Sequence, residues 1–165
     1  MLGHESELLS GLKGCLLDRL TDDSRGTSDG SSWAVRQSRR EWEESLLRDV
    51  EALLNTKRAL LEVPEQYRHA SSSLLQYGLP DFSSMSLHSP TDRAILRSAI
   101  ETALRLFEPR LASVAVTLDA SKQSRPVLHF RVNALLRLTP QPEPIRFDTL
   151  LKSDSREFVV VREGA

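Results

Sequence analysis

Leu8, Leu9, Leu12, Cys15, Leu16 and Leu20 recur at three- and four-residue steps, with Glu7, Lys13 and Asp18 lying elsewhere. That period predicts an amphipathic helix over residues 5–20. Gly11 and Gly14 each cost it about 1 kcal/mol relative to alanine, so it needs a surface to lie against. The next stretch, T-D-D-S-R-G-T-S-D-G-S-S over residues 21–32, has nothing to bury. Residues 1–20 therefore read as an amphipathic arm and residues 21–37 as a flexible linker. The arm either docks on a partner, through Leu12 and Leu16, or folds back on its own domain.

A folded body is expected over residues 38–165. Ser38 and Glu41 have capping-box spacing, and Trp42, Leu46, Val50, Leu53 and Leu54 carry a helix to about Asn55. Pro64 suits the first turn of another helix with Tyr67, Ala70, Leu74 and Leu75 inward, stopped by Gly78 and Pro80. Ser89-Pro90-Thr91-Asp92 starts a further helix, which Leu96, Ile100, Ala103, Leu104 and Phe107 carry towards Pro109.

Beyond Pro109 the period changes to two. Val114, Val116 and Leu118 share a face, and Leu128, Phe130, Val132, Ala134, Leu136 and Leu138 alternate with polar residues in one long strand. Pro140, Pro142 and Pro144 predict an extended crossing segment, and residues 145–151 and 157–162 read as a last pair of short strands. Helices first and strands last predict an α+β domain: N-terminal amphipathic helices packed on a small, mostly antiparallel C-terminal sheet.

Charge and composition remove several function classes. The 165 residues carry 22 Lys and Arg against 23 Asp and Glu, a formal net charge of −1. Bulk nucleic-acid binding normally draws on a basic excess, so none is expected. No apolar run approaches the roughly 18 residues of a membrane span, so no direct membrane insertion is expected. The opening Met1-Leu2-Gly3-His4-Glu5-Ser6-Glu7 lacks the pattern of a secretory leader. Cys15 is the single cysteine, which excludes an internal disulfide. A cytoplasmic address is the simplest expectation.

Candidate chemistry is sparse. His4, His69, His88 and His129 share no metal-ligand spacing, and His129 is expected to be exposed on its strand. Neither a phosphate-binding glycine loop nor a nucleophile elbow occurs, so no cofactor and no catalytic residue is assigned. Glu101 and Glu108 are the one acid pair worth weighing, about 10 Å apart along a helix axis. Arg110 beside Glu108 favours a structural ion pair instead. Glu108-Pro109-Arg110 places an acid, a rigid residue and a guanidinium at the helix–sheet junction. It is either a helix terminator with two solvated charges or a preorganised polar anchor for a partner protein.

Leu16-Leu17-Asp18-Arg19-Leu20 and the run from Ser45 through Leu46-Leu47-Arg48-Asp49-Val50 to Arg58 resemble the TssE family, the type VI secretion baseplate subunit. Tyr77-Gly78-Leu79-Pro80-Asp81, Ser89-Pro90 and Phe107-Glu108-Pro109-Arg110-Leu111 continue the similarity in order, as do Pro142 to Thr149 and Glu157-Phe158. The family is related to a phage-tail baseplate wedge protein historically labelled lysozyme-like. The resemblance implies a structural baseplate component rather than a hydrolase, the alternative being a peptidoglycan-cleaving, lysozyme-like enzyme. It also implies a place in a cytoplasmic baseplate docked at the inner membrane. The implied partners are the wedge proteins TssF and TssG, TssK indirectly, and the sheath proteins TssB and TssC. Glu108, Pro109 and Arg110 match the family's E-P-R motif, associated with holding the wedge core.

A small sheet with open borders is an aggregation hazard unless those borders are covered or used, and strand addition uses them. The strand over residues 127–138 and the terminal strand with Val159, Val160 and Val161 are therefore the expected docking elements for the sheath.

Overall fold

Trp42, Leu46, Val50, Leu53 and Leu54 are all buried, as their spacing predicts, and together they form the inward stripe of the first helix. The computed structural model describes residues 39–60, 64, 66–67, 69–119, 127–137 and 141–162. Within them lie helix α1 (Arg39–Asn55), helix α2 (Pro90–Phe107) and four strands. The strands are β1 (Leu111–Leu118), β2 (Val127–Leu136), β3 (Glu143–Lys152) and β4 (Phe158–Arg162). They form one sheet in the order β1-β2-β3-β4, antiparallel throughout. The expected α+β arrangement is what the chain adopts. Leu12, Leu16, Cys15, the arm, the linker and the Ser38 cap lie outside the described residues.

One core joins the layers. Leu96, Ile100, Ala103 and Leu104 of α2 meet the inward residues of the sheet, among them Val116, Phe130, Val132, Phe147, Leu151 and Phe158. Helix α2 begins as its sequence dictates. The Ser89 hydroxyl accepts the Asp92 N–H at 3.3 Å, Pro90 opens the first turn, and Asp92 adds a favourable negative charge there.

The helix expected after Pro64 does not form. Two short 3-10 turns, Ala70–Ser72 and Leu74–Gln76, stand in its place, and Tyr67, Leu74 and Leu75 are exposed. The serines explain the difference, since their hydroxyls compete for backbone partners. Ser72 Oγ donates to the His69 carbonyl, Ser73 Oγ donates to the Ala70 carbonyl, and Ser73 Oγ also accepts the Leu75 N–H. Gly78 then turns the chain with φ of +98°, against Thr56.

Two further expectations change. β2 and β3 are direct antiparallel neighbours, with Leu136 opposite Glu143, where a connection crossing the sheet was expected between them; residues 138–140 lie outside the described residues. Pro144 is tolerated in β3 because β4 pairs only as far as Phe147, leaving that end of the strand with one neighbour. β2, expected as a docking strand, is interior, with β1 on one side and β3 on the other. Among the described strands, only β1 and β4 are borders. A β-bulge between Ala112 and Ala115, with Ser113 at φ of +51°, bends β1 near its start.

Candidate partner-binding site

Pro109 ends α2 because it lacks an N–H and disfavours helical geometry at Glu108. Glu108 consequently becomes the cap, with its N–H still bonded to the Leu104 carbonyl. Its side chain turns inward and is buried. Arg110 grips it as a fork: Nε donates to Oε1 at 2.7 Å and Nη2 donates to Oε2 at 2.6 Å. Nη2 also donates to Asp49 Oδ2 on α1 at 2.7 Å, and the guanidinium carbon lies 5.8 Å from the Trp42 ring centroid. The two charges are therefore neither solvated nor extended towards a partner. They clamp the end of α2 to the middle of α1.

Burial works against the charged guanidinium of Arg110, but Glu108 and Asp49 outweigh it and raise its pKa above the ordinary arginine value. One cation against two carboxylates leaves the corner with a negative excess. Tyr77 feels the same environment: burial first, then the charges of Asp49 and Glu108, push its pKa up. Arg110 Nη1 is buried without a hydrogen-bond partner among the described residues. Pro109, by contrast, is exposed. Asp49 and Trp42 are the members of this corner that sequence reasoning did not assign, because the Asp49–Arg110 contact spans 61 positions.

The sheet borders are also not as expected. Both carry internal caps made of helix side chains. On β4, Asn55 Oδ1 accepts the Phe158 N–H at 2.8 Å and Nδ2 donates to the Phe158 carbonyl at 2.9 Å. Glu51 Oε2 accepts the Val160 N–H at 2.8 Å, and Arg162 pairs with Glu43. Val159 and Val161 are half-buried, and the register of β4 with β3 sets them on the sheet face away from the core.

On β1, Arg105 Nη2 donates to the Val114 carbonyl at 3.0 Å and Arg97 Nη1 to the Val116 carbonyl at 3.3 Å. Glu101 Oε2 accepts the Val116 N–H at 3.3 Å. The expectation of bare borders is thus corrected: exposed backbone would cost free energy, and α1 and α2 run close enough to satisfy it. The four-residue spacing of Arg97, Glu101 and Arg105 was the available signal, since it sets all three on one helix face.

Neither acid of the candidate pair is idle. Glu101 bridges Arg105 at 2.6 Å and Arg97 at 3.7 Å while holding β1, and Glu108 is taken by Arg110. A surface hollow of about 320 Å³ between α2 and the Gly78 turn is lined by Arg58, Gln76, Ser98, Thr102 and Leu106 among others, and by no carboxylate. His129, expected to be exposed, is half-buried, with Nδ1 enclosed and without a hydrogen-bond partner among the described residues. Among the described residues there is no cluster of potential metal ligands, and no helix is long and apolar enough to cross a membrane.

Among the described residues, then, two helices and one four-stranded sheet are held together by charged side chains that brace the elements and cap the sheet borders. The comparison with known families names the group: residues 40–141 match the model described as baseplate wedge protein gp25, and the chain belongs to that family, as does TssE. The match spans α1, α2, β1 and β2, with the E-P-R corner inside it, and ends before β3. No curated protein and no solved structure matches the chain. The family is one of structural baseplate components.

Proposed function

We propose that this chain is a TssE-type subunit of a type VI secretion baseplate. In this reading TssF and TssG hold it in the wedge, TssK is reached through them, and it sets the first ring of the sheath built from TssB and TssC. The baseplate sits on the cytoplasmic side of the inner membrane. Membership of the wedge family over residues 40–141 carries the reading. The ordered similarity to TssE, which continues past residue 141 through Pro142 to Thr149 and Glu157-Phe158, supports the finer assignment.

The geometry suits such a part. The braced corner fixes α1, α2 and the start of β1 relative to one another, so exposed Pro109 and the negative rim around Asp49 form a rigid feature for a wedge protein to grip. Glu108 and Arg110 serve that grip by holding its shape. Val159 and Val161 offer an apolar outer sheet face for side-on contact with a neighbouring protein, while Val160 between them packs against the core, and the arm residues Leu12 and Leu16 offer a second, tethered contact. Growth of the sheath then proceeds by strand addition at a sheet border.

A reconstitution tests this. Purified TssF and TssG should retain the full chain through gel filtration, and the resulting wedge should seed TssB–TssC polymerisation. Peptidoglycan release that disappears in Glu101→Gln, with no retention by the wedge proteins, would replace this reading with the hydrolase one.

A further inference from the structure

The two sheet borders are closed in different ways, and the difference selects one of them for a partner strand. The β4 caps are short and matched: an asparagine amide satisfies both polar groups of Phe158, and a carboxylate takes the Val160 N–H, with no cap bond longer than 2.9 Å. The β1 caps run from 3.0 to 3.3 Å and come mainly from arginines whose side chains are about half in solvent. The Arg97 and Arg105 side chains are 44% and 59% exposed. Long exposed side chains gain little from such bonds and lose little by giving them up.

We propose that β1 is the border that receives the partner's strand, and that Arg97, Glu101 and Arg105 are placeholders which that strand displaces. The proposal rests on the strand-addition reading above and specifies where it happens and what is recognised. The Val114 carbonyl, the Val116 N–H and the Val116 carbonyl all point out of the sheet, so an incoming backbone can take over each bond the side chains release. The bulge at Ser113 interrupts the border on one side, which confines the docking site to residues 114–118.

Once released, the two guanidinium groups keep Glu101 between them but gain free donors, since each carries five N–H groups. The trio retains one net positive charge. The occupant it fits is therefore an extended segment with acidic side chains. Spacing follows from elementary geometry. Arg97 and Arg105 are eight residues apart on a helix, about 12 Å along its axis. Two side chains on the same face of a strand, four residues apart, are separated by about 13 Å. A partner segment with acids at positions i and i+4 would thus meet both arginines while its backbone pairs with β1.

The test uses full-length protein in wedges assembled from purified TssF and TssG, with purified TssB–TssC as the probe. Arg97→Gln combined with Arg105→Gln removes both positive charges without setting like charges beside Glu101. It should leave retention in the wedge close to wild type with only a small fall in unfolding temperature, while lowering the rate of sheath nucleation about tenfold or more. Wild-type nucleation should also slow with added salt, as screened charge pairs require. Glu51→Ala, which uncaps the Val160 N–H on β4, should leave nucleation unchanged.

Faster nucleation with Glu51→Ala, together with an unaffected arginine pair, would move docking to β4 and overturn the proposal. Nucleation that ignores both changes equally overturns it. Failure of wild-type wedges to seed any sheath would instead strike the functional reading on which the proposal rests.

Discussion

Asn55 pairs with Phe158 in both directions, accepting its N–H and donating to its carbonyl, so one amide side chain stands in for the peptide group of a missing neighbouring strand. Asn55 is the last residue of α1, and this link fixes the end of the helix to the start of β4.

Asn55→Ala removes both bonds at once and leaves a buried strand residue with unpaired backbone. A loss of about 2 kcal/mol is expected, read as a lower urea midpoint with an unchanged denaturant slope. The freed border should also promote self-association, visible by sedimentation at high protein concentration.

Arg110 is the keystone of the charged corner. Arg110→Ala leaves the Glu108 carboxylate, only 5% exposed, without its cation, and a cost of about 3 kcal/mol or more is expected. Arg110→Lys keeps the charge but loses the fork, so it should recover only part of that loss. Glu108→Gln with Arg110→Met removes both charges and should be milder than Arg110→Ala. Equilibrium denaturation of the four proteins checks this order.

Gly78 occupies a left-handed conformation, and a Cβ there would lie 2.3 Å from the Thr56 carbonyl oxygen. Gly78→Ala must therefore shift the backbone that carries the Thr56–Leu79 and Leu79–Arg58 bonds. A destabilisation exceeding about 1 kcal/mol is expected from thermal or chemical unfolding.

Tyr77 supplies an alkaline signature. Burial, then the nearby carboxylates Asp49 and Glu108, raise its pKa above that of an unfolded tyrosine. A raised folded-state pKa means the contribution is complete below the unfolded value, near 10, and is lost as pH climbs through the folded value. Stability should therefore fall in alkaline solution as the unfolded chain ionises first. Tyr77→Phe should flatten that fall in a pH series of unfolding midpoints.

Long periodic segments were legible in the sequence because their physics is local. Helix α2 announced itself through the Ser89 cap and Pro90, and β2 through Leu128, Phe130, Val132, Ala134 and Leu136. The failure at residues 64–77 is also local in origin: Leu74 and Leu75 mimic a helix stripe, but neighbouring serines bond to the backbone and break it. The site was less legible. Glu108-Pro109-Arg110 stood out as a motif, yet its inward turn depends on Asp49 and Trp42, which only the tertiary fold brings near. The β4 caps were invisible for the same reason, whereas the spacing of Arg97, Glu101 and Arg105 at least set the β1 caps on one helix face. Nothing in the spacing of Glu51 and Asn55 reveals that they lie beside β4.

The role proposed for this chain is to turn an assembled wedge into a seed for the sheath. The direct measurement compares TssB–TssC polymerisation on TssF–TssG wedges with and without the full chain. Prompt sheath growth is expected from the complete wedge, and a long lag without the subunit. Equal growth from both would contradict that role.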